Sequence, residues 1–275
     1  RFLQRNKGRE RWLRQDWLLI IELTIYTIPV FALLALQQDL GTALVFLAIF
    51  AGLVLISGVS WKIILPVVLF IVGGLAGFLF LFLSEGGRAF LHQQLRMPTY
   101  QINRILAWLN PFDYAQTTTY QQAQGQLAIA SGGVSGQGFN VSNLLVPVRE
   151  SDMIFTVIAE DFGFVGSLVL LILYVFLIYR ILKITLQSNN QFYTYISIGF
   201  IMMLVFHIFE NVGAVTGLLP LTGIPLPFIS QGGSSIISNL IGIGLVLSIY
   251  NHSSKKKEPE EGPPIRKKVV LKKAQ

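Results

Sequence analysis

Six long apolar stretches decide what this chain can become. A helix needs about 20 consecutive, mostly apolar residues to cross the hydrocarbon core of a bilayer. Residues 17–36, 40–59, 63–83, 153–181, 192–215 and 228–250 meet that demand. The expected fold is therefore all-α, a polytopic membrane protein with about six transmembrane helices. Composition agrees: 53% of residues are hydrophobic and 13% are charged. Soluble domains carry about 25% charged residues, so a water-soluble globule is excluded. Cysteine is absent, which removes disulfides, thiolate zinc sites and a cysteine nucleophile. His92, His207 and His252 lie too far apart in sequence to suggest a histidine-rich metal site. The chain begins at Arg1, and its basic start lacks the form of a signal peptide, so it reads as a segment of a longer protein.

Charge sets the expected orientation. With residues 1–16 and the tail 251–275 in the cytoplasm, seventeen of the 21 Lys and Arg residues fall on the cytoplasmic side. Arg88, Arg96, Arg104 and Arg149 are left outside. That excess is the positive-inside pattern. The net charge of +7 is thus a topology signal and not a nucleic-acid footprint. The expected organisation is a basic cytoplasmic segment (1–16), three spans (17–83), an outer loop (84–151), three more spans (152–250) and a disordered basic tail (251–275). The outer loop, with apolar pieces between Gln, Asn, Tyr and Gly, predicts short amphipathic helices on the membrane face.

Carboxylates in or beside the spans carry the chemical interest, because a charge in hydrocarbon is costly unless paired or wetted. They are Asp39, Glu150, Asp152, Glu160, Asp161 and Glu210. Asp152 stands where the long loop enters the fourth span. It reads equally as an N-cap or as a base facing a substrate in the outer leaflet. Asp152, Thr156 and Glu160 follow one i, i+4, i+8 stripe, which predicts a polar groove. Asp39 reads as a cap of the second span. His207, Glu210 and Asn211 share a helix face and predict a buried hydrogen-bond network in preference to a metal site. Pro220, Pro225 and Pro227 break the helix over 217–228, and broken backbone at membrane depth belongs where it is buried in protein or lines a wet cavity. The small residues from Ser230 to Ser235 allow close helix approach. Ser131-Gly132-Gly133 and Gly136-Gln137-Gly138 form a glycine-rich piece that admits a phosphate cradle but matches no standard fingerprint. Asn140-Val141-Ser142 fits a weak glycosylation sequon.

These segments together resemble the SEDS family, the RodA and FtsW type of cell-wall polymerase, with the rod-elongation branch favoured. The resemblance rests on Gln38-Asp39-Leu40-Gly41-Thr42-Ala43, on Tyr120-Gln121 through Ser131-Gly132-Gly133 to Gly136-x-Gly138, and on Asp152-Met153-Ile154-Phe155 with Ala159-Glu160-Asp161-Phe162-Gly163. It rests most of all on Asn211-Val212-Gly213 through Leu219-Pro220-Leu221-Thr222-Gly223-Ile224-Pro225-Leu226-Pro227-Phe228-Ile229-Ser230 to Gly232-Gly233-Ser234-Ser235. Gln38 replaces a usual proline and Gln231 a usual tyrosine. The family has ten spans, so the resemblance implies about four more on the N-terminal side.

The resemblance implies a glycosyltransferase that polymerises lipid II into β-1,4 glycan outside the cytoplasmic membrane. The family's essential aspartate falls on Asp152, which would take the proton of the attacking sugar hydroxyl. A single displacement with inversion needs one base and no covalent sugar-enzyme intermediate. The undecaprenyl pyrophosphate leaving group calls for Arg or Lys, with Arg104 and Arg149 as candidates, or for a divalent cation such as magnesium or manganese. Asp39, Gln121, Thr156, Glu160 and Ser234 join them as substrate-binding candidates. Glu210, Asn211, Pro220 and Pro227 read as shaping the cavity. The implied partners are lipid II, a class B penicillin-binding transpeptidase and other elongation-complex membrane proteins. The competing reading is a lipid II flippase, which would want its key charge near the bilayer midplane.

Overall fold

The structure, a computed structural model, describes residues 13–93, 102, 105–106, 108–113, 120–139, 141, 146–188 and 190–255. The described residues are helical, with turns and loops and no strand. Among the described residues, the helices with defined bounds are, in order, α1 (Leu13–Gln37), α2 (Leu40–Ile56), α3 (Trp61–Leu83), α4 (Glu85–Gln93), α5 (Tyr120–Gly132), α6 (Ile154–Gln187), α7 (Gln191–Val215) and α8 (Gly233–Lys255). Five of them, α1, α3, α6, α7 and α8, are long and apolar enough to cross a membrane. The chain is a multi-pass membrane protein.

Two expected boundaries are corrected, and one span is found to be broken. The second span was expected over 40–59, but α2 stops at Ile56 and has 17 residues, about 26 Å of helix. Ser57 ends it, its N–H closing back on Leu53 O and its hydroxyl on Val54 O, and Gly58 turns the chain at φ 76°. The last span was expected from Phe228, but α8 starts at Gly233 because Phe228 adopts φ 66° and Leu226–Ser230 form a turn. The fourth span does not run unbroken: Gly163, at φ 65° and ψ −161°, divides α6 into two helices.

That break frees backbone groups which water cannot reach in a bilayer. The glycine-rich loop after α5 pairs them. Gln137 and Gly138 donate N–H bonds to Glu160 O (2.9 Å) and Asp161 O (3.1 Å). In return, Phe164 and Val165 donate to Gly133 O (2.9 Å) and Val134 O (3.1 Å). The segment that admitted a phosphate cradle therefore spends its amides on mending a helix. A Cβ at Gly163 would strike Gly136 N and Val134 O, and one at Gly136 would strike Asp161 O, so neither position admits a side chain.

Close backbone approach assembles the rest. Gly125 and Gly132 let α5 lie against Met153, Thr156 and Ala159 of the α6 entry. Gly52 admits Met202 between α2 and α7, and Gly242 admits Phe200 between α8 and α7. One apolar cluster forms at the loop end of the bundle from Ala128, Met153, Phe155, Ala159, Tyr174, Val215 and Leu226. A second, of Ile181, Ile201, Leu204 and Val246, sits at the other end of α6–α8. The start of α3 is tied to α1 where Ser60 N donates to buried Asp16 at 3.0 Å, above a cluster of Leu19, Val59 and Ile63. The middle of α3 turns its apolar side chains outward, as with Phe70 at 83% exposure, the pattern of a helix solvated by lipid.

Gly163→Ala is expected to lower folded yield and thermal stability in detergent by about 2 kcal/mol or more, since the left-handed backbone and the steric block add. Gly74→Ala, whose Cβ would meet open space on α3, should lower neither; fluorescence-detected thermal unfolding of the two variants reads the difference.

Candidate functional site

The site is a short segment held by its backbone. Residues 150–152 cross the loop end of the bundle just before α6, and each carbonyl receives a donor from α7 or from the segment that follows it. Gln231 N donates to Glu150 O at 2.8 Å, Ser230 Oγ to Ser151 O at 2.6 Å and Asn211 Nδ2 to Asp152 O at 2.7 Å. The donors are themselves fixed. Ser230 Oγ accepts from Leu226 N at 2.7 Å, and Asn211 Nδ2 also donates to Ile224 O at 2.8 Å. The proline-broken segment and the segment bearing Asp152 are thereby one unit.

The proline segment has its own supports. Gln122 of α5 donates to Ala214 O (3.0 Å) and Leu219 O (3.4 Å), Trp108 Nε1 to Gly217 O (3.1 Å), and Tyr174 OH to Pro227 O. Pro227 is buried and Pro220 exposed. Glu210 is buried and accepts the Thr222 hydroxyl. His207 bonds the backbone of Pro225. The expected network of His207, Glu210 and Asn211 is therefore present, and its partners are the backbone and hydroxyl groups of this loop. Gly41 packs on Thr222 and Ile224, which brings the head of α2, with Asp39, beside the same loop.

Within this frame the Asp152 carboxylate is half-buried and lightly held. Gln121 Nε2 donates to Oδ1 at 3.4 Å and to Pro147 O at 3.0 Å. The outer side of Gly223 faces Oδ2, its Cβ position lying 3.8 Å away. Burial pushes the Asp152 carboxyl above the usual aspartate range, offset in part by bonds from its own backbone and from Gln121. The N-cap position of α6 is Met153, which makes no side-chain cap bond. Asp152 is thus not the helix cap. Asp39 is a cap, of α2: its Oδ1 accepts from Thr42 N at 2.9 Å and Oδ2 from the Thr42 hydroxyl at 2.6 Å. Those bonds hold it below the usual carboxylate range.

The expected groove along Asp152, Thr156 and Glu160 is altered. Asp152 precedes the helix, so the three do not share one helical face. Thr156 is enclosed, with its hydroxyl on Met153 O at 2.7 Å. Glu160 is buried in an ion pair with Arg149. Arg149 is accordingly neutralised within the protein, and its remaining Nε–H is buried without a partner. Ser234 is exposed on the first turn of α8, three residues past Gln231. Arg104 lies outside the described residues, as do Arg96, Asn140, Ser142 and the tail from 256.

Local strain gathers here. The non-glycine residues with positive φ among the described residues are Gln38, Val148 and Phe228, at 56°, 52° and 66°. They lie beside Asp39, before Arg149 to Asp152 and before Ser230, the pattern of a backbone over-determined at a functional site. A branched residue such as Val148 rarely takes this conformation. No three His, Asp or Glu side chains gather among the described residues in a way that could hold a metal ion. Among the described residues, the donor set forms no cage for a divalent cation by itself. Sequence reasoning gave no role to Gln122, Trp108 or Tyr174, and it placed Gly163 in the family motif without foreseeing the break there. Of these, Gln122 carried a signal, as one of four glutamines that open α5 before its more apolar second half.

A bundle of apolar helices with a half-buried acid at the mouth of one of them, braced by a proline-broken loop, defines a class of polytopic membrane protein with a polar site at one bundle end. The family follows from comparison. A model of the FtsW, RodA and SpoVE type, described as a cell cycle protein, matches residues 1–255, and the chain belongs to that family. It is 37% identical over 226 residues to peptidoglycan glycosyltransferase MrdB of Escherichia coli K12, covering 80% of this chain and 57% of MrdB. It is 33% identical over 256 residues to the probable peptidoglycan glycosyltransferase FtsW of Bacillus subtilis, covering 90% of this chain and 62% of that protein. The chain thus spans about three-fifths of the length of these curated relatives. Among solved structures it resembles a chain of a peptidoglycan synthase complex that coordinates polymerization and crosslinking, with TM-score 0.68, 32% identity and coverage of 84% of this chain and 61% of that one. It also resembles a substituted rod shape determining protein RodA of Thermus thermophilus, with TM-score 0.57, 29% identity and coverage of 92% and 61%.

Asn211→Ala would leave the carbonyls of Asp152 and Ile224 without donors in a buried site. Its expected cost is on the order of 2 kcal/mol, and Ser230→Ala should behave alike. Thermal unfolding in detergent measures both, and a loss under about 0.5 kcal/mol would show that water replaces the donors.

Proposed function

We propose that this chain carries the polymerising site of a peptidoglycan glycosyltransferase that joins lipid II into β-1,4 glycan at the outer face of the cytoplasmic membrane, in cell elongation and shape. The observation that carries the reading is the Asp152 carboxylate, fixed through its backbone but lightly bonded at its oxygens and raised in proton affinity by burial. A base must be held still and must remain free to take a proton, and this arrangement gives both. The names and structures of the relatives support the class of reaction and make a crosslinking penicillin-binding protein the partner we assign. Both chain ends lie in the cytoplasm by the positive-inside count.

In the mechanism, the 4-hydroxyl of the acceptor GlcNAc approaches Oδ2 along the Gly223 side. Asp152 takes its proton as the oxygen forms a bond to C1 of the donor MurNAc. The C1–O bond to undecaprenyl pyrophosphate breaks on the opposite face, with inversion. A single carboxylate is enough for this chemistry. Gln121, bonded to both Pro147 O and Asp152, orients the base. Charge grows on the pyrophosphate, and Arg149, already balanced by Glu160, offers it little net attraction. The first turn of α8, with exposed Ser234, presents amides that have no intrahelical partner and a favourable dipole for an anion. The family resemblance makes Arg104 a further candidate cation.

Asp152→Asn in the full-length protein should abolish glycan synthesis from purified lipid II. Because it replaces a half-buried acid with a neutral isostere, it should leave thermal stability at pH 7 unchanged or raised. Polymer at wild-type rate would reject Asp152 as the base, and lipid II crossing vesicles without polymer formation in the wild type would favour the flippase. The wild-type rate at subsaturating lipid II should fall as pH drops through a midpoint above about 3.9, the ordinary aspartate value, because protonation removes the base. A limb at or below that value would contradict the burial argument.

A further inference from the structure

One ionisable group beside the proposed base has no part in the mechanism above. Glu210 lies on α7, and its side chain is 2% exposed. Its Oε1 accepts the Thr222 hydroxyl, and Thr222 is followed at once by Gly223, the residue opposite Asp152 Oδ2. The next residue along α7, Asn211, holds the Asp152 carbonyl at 2.7 Å. Glu210 is therefore joined to the Asp152 segment by two short routes, one through Asn211 and one through the Thr222-Gly223 turn. Both carboxylates face the Thr222-Gly223 turn, Glu210 through the Thr222 hydroxyl and Asp152 across Gly223. A structural role for Glu210 would need only a neutral acceptor for Thr222, and glutamine supplies one with the same reach. A buried carboxylate in that place brings a charge beside another acid.

We propose that Glu210 is a positioning residue that acts on the reaction through Asp152, as the second member of a coupled carboxylate pair tethered by Thr222. The inference deepens the proposed polymerase site and rests on Asp152 being its base. Two neighbouring carboxylates in a low-dielectric site hold a shared proton more firmly than either does alone, and they titrate as a unit. An ionised Glu210 makes Asp152 a stronger base towards a sugar hydroxyl. Once Asp152 has taken the proton, the pair carries a single negative charge and the repulsion between its members is relieved.

The other ionisable groups around Asp152 do not substitute for it. On its own segment, Glu150 is exposed and Arg149 is paired with Glu160 of α6. Asp161 of α6 lies beside that same arginine. His207 of α7 is bonded to the Pro225 backbone, Tyr120 of α5 is exposed, and Asp39 is occupied by Thr42 at the head of α2.

The test is a carbon-13 titration of the aspartate carboxyls in the full-length protein in nanodiscs, with Asp152 assigned by its loss in Asp152→Asn. In Glu210→Gln, which keeps an acceptor for Thr222, the Asp152 midpoint should fall on the order of one pH unit. The acid limb of kcat/KM should move the same way, with KM for lipid II little changed. Thr222→Val, which removes the hydroxyl bond of the tether but keeps its backbone bond and the carboxylate, should move the Asp152 midpoint by less. An unmoved Asp152 titration in both variants, whatever their stability, overturns the proposal. If the midpoint shifts while Asp152→Asn still polymerises, the coupled pair stands and the assignment of Asp152 as base fails.

Discussion

Three consecutive carbonyls, those of Glu150, Ser151 and Asp152, hold this structure's site in place. Each would be an unsatisfied acceptor at the edge of an apolar bundle, and each is met by a donor from the α7–α8 half of the chain. An unpaired buried acceptor costs about 1–3 kcal/mol, so the three bonds together specify one register between the α6 entry and the proline segment. The proline segment, in turn, cannot be helical, and its own polar groups find Gln122, Trp108, Tyr174 and Ser230. The site is therefore a knot of irregular backbone sealed by side chains. Irregular backbone is tolerated at membrane depth on that condition.

The break in α6 obeys the same rule with different parts. Gly163 opens the helix one turn past Glu160, and the loop from Gly133 to Gly138 supplies two donors and two acceptors to close it. This fixes α5 against α6 and so sets Gln121 over Asp152. The Arg149–Glu160 pair stitches the site segment to the α6 turn just before the break. A helix without the break would pair Glu160 and Asp161 with their own i+4 amides, and the glycine loop would have nothing to hold.

What the sequence disclosed is what local physics dictates. Apolar length located the helices, prolines marked the interrupted segment, and the Asp39–Thr42 spacing marked a cap. The errors lie where a distant partner decides. Phe228 and Ile229 look like the start of a span, yet Leu226–Ser230 turn because Ser230 reaches back to Leu226 N and across to Ser151. Gly163 stands in the family motif with no sign of a break, since the groups that satisfy the break lie some thirty residues upstream. Thr156 and Glu160 fit a helical stripe with Asp152, but the helix starts two residues after the aspartate, and Glu160 turns to Arg149 instead. Asp152 itself was visible as a charge at a loop-to-helix junction, and only the structure distinguished a cap from a free carboxylate.

In a bilayer, lipid tails compete on equal terms with apolar side chains, so packing and hydrogen bonds govern how helices associate. The exposed middle of α3 fits that view, for it carries long apolar side chains and few partners. The polar ties of this chain concentrate at the loop end of α5–α8, around the site itself. Stability and function are therefore entangled in Asn211 and Ser230, whose side chains hold the frame. They separate at the Asp152 carboxylate, whose bond from another side chain among the described residues is a long one from Gln121. A base that served the frame as well would lose a structural bond each time it took a proton. Placing the frame's bonds on the carbonyl and leaving the carboxylate for chemistry removes that conflict within a single residue.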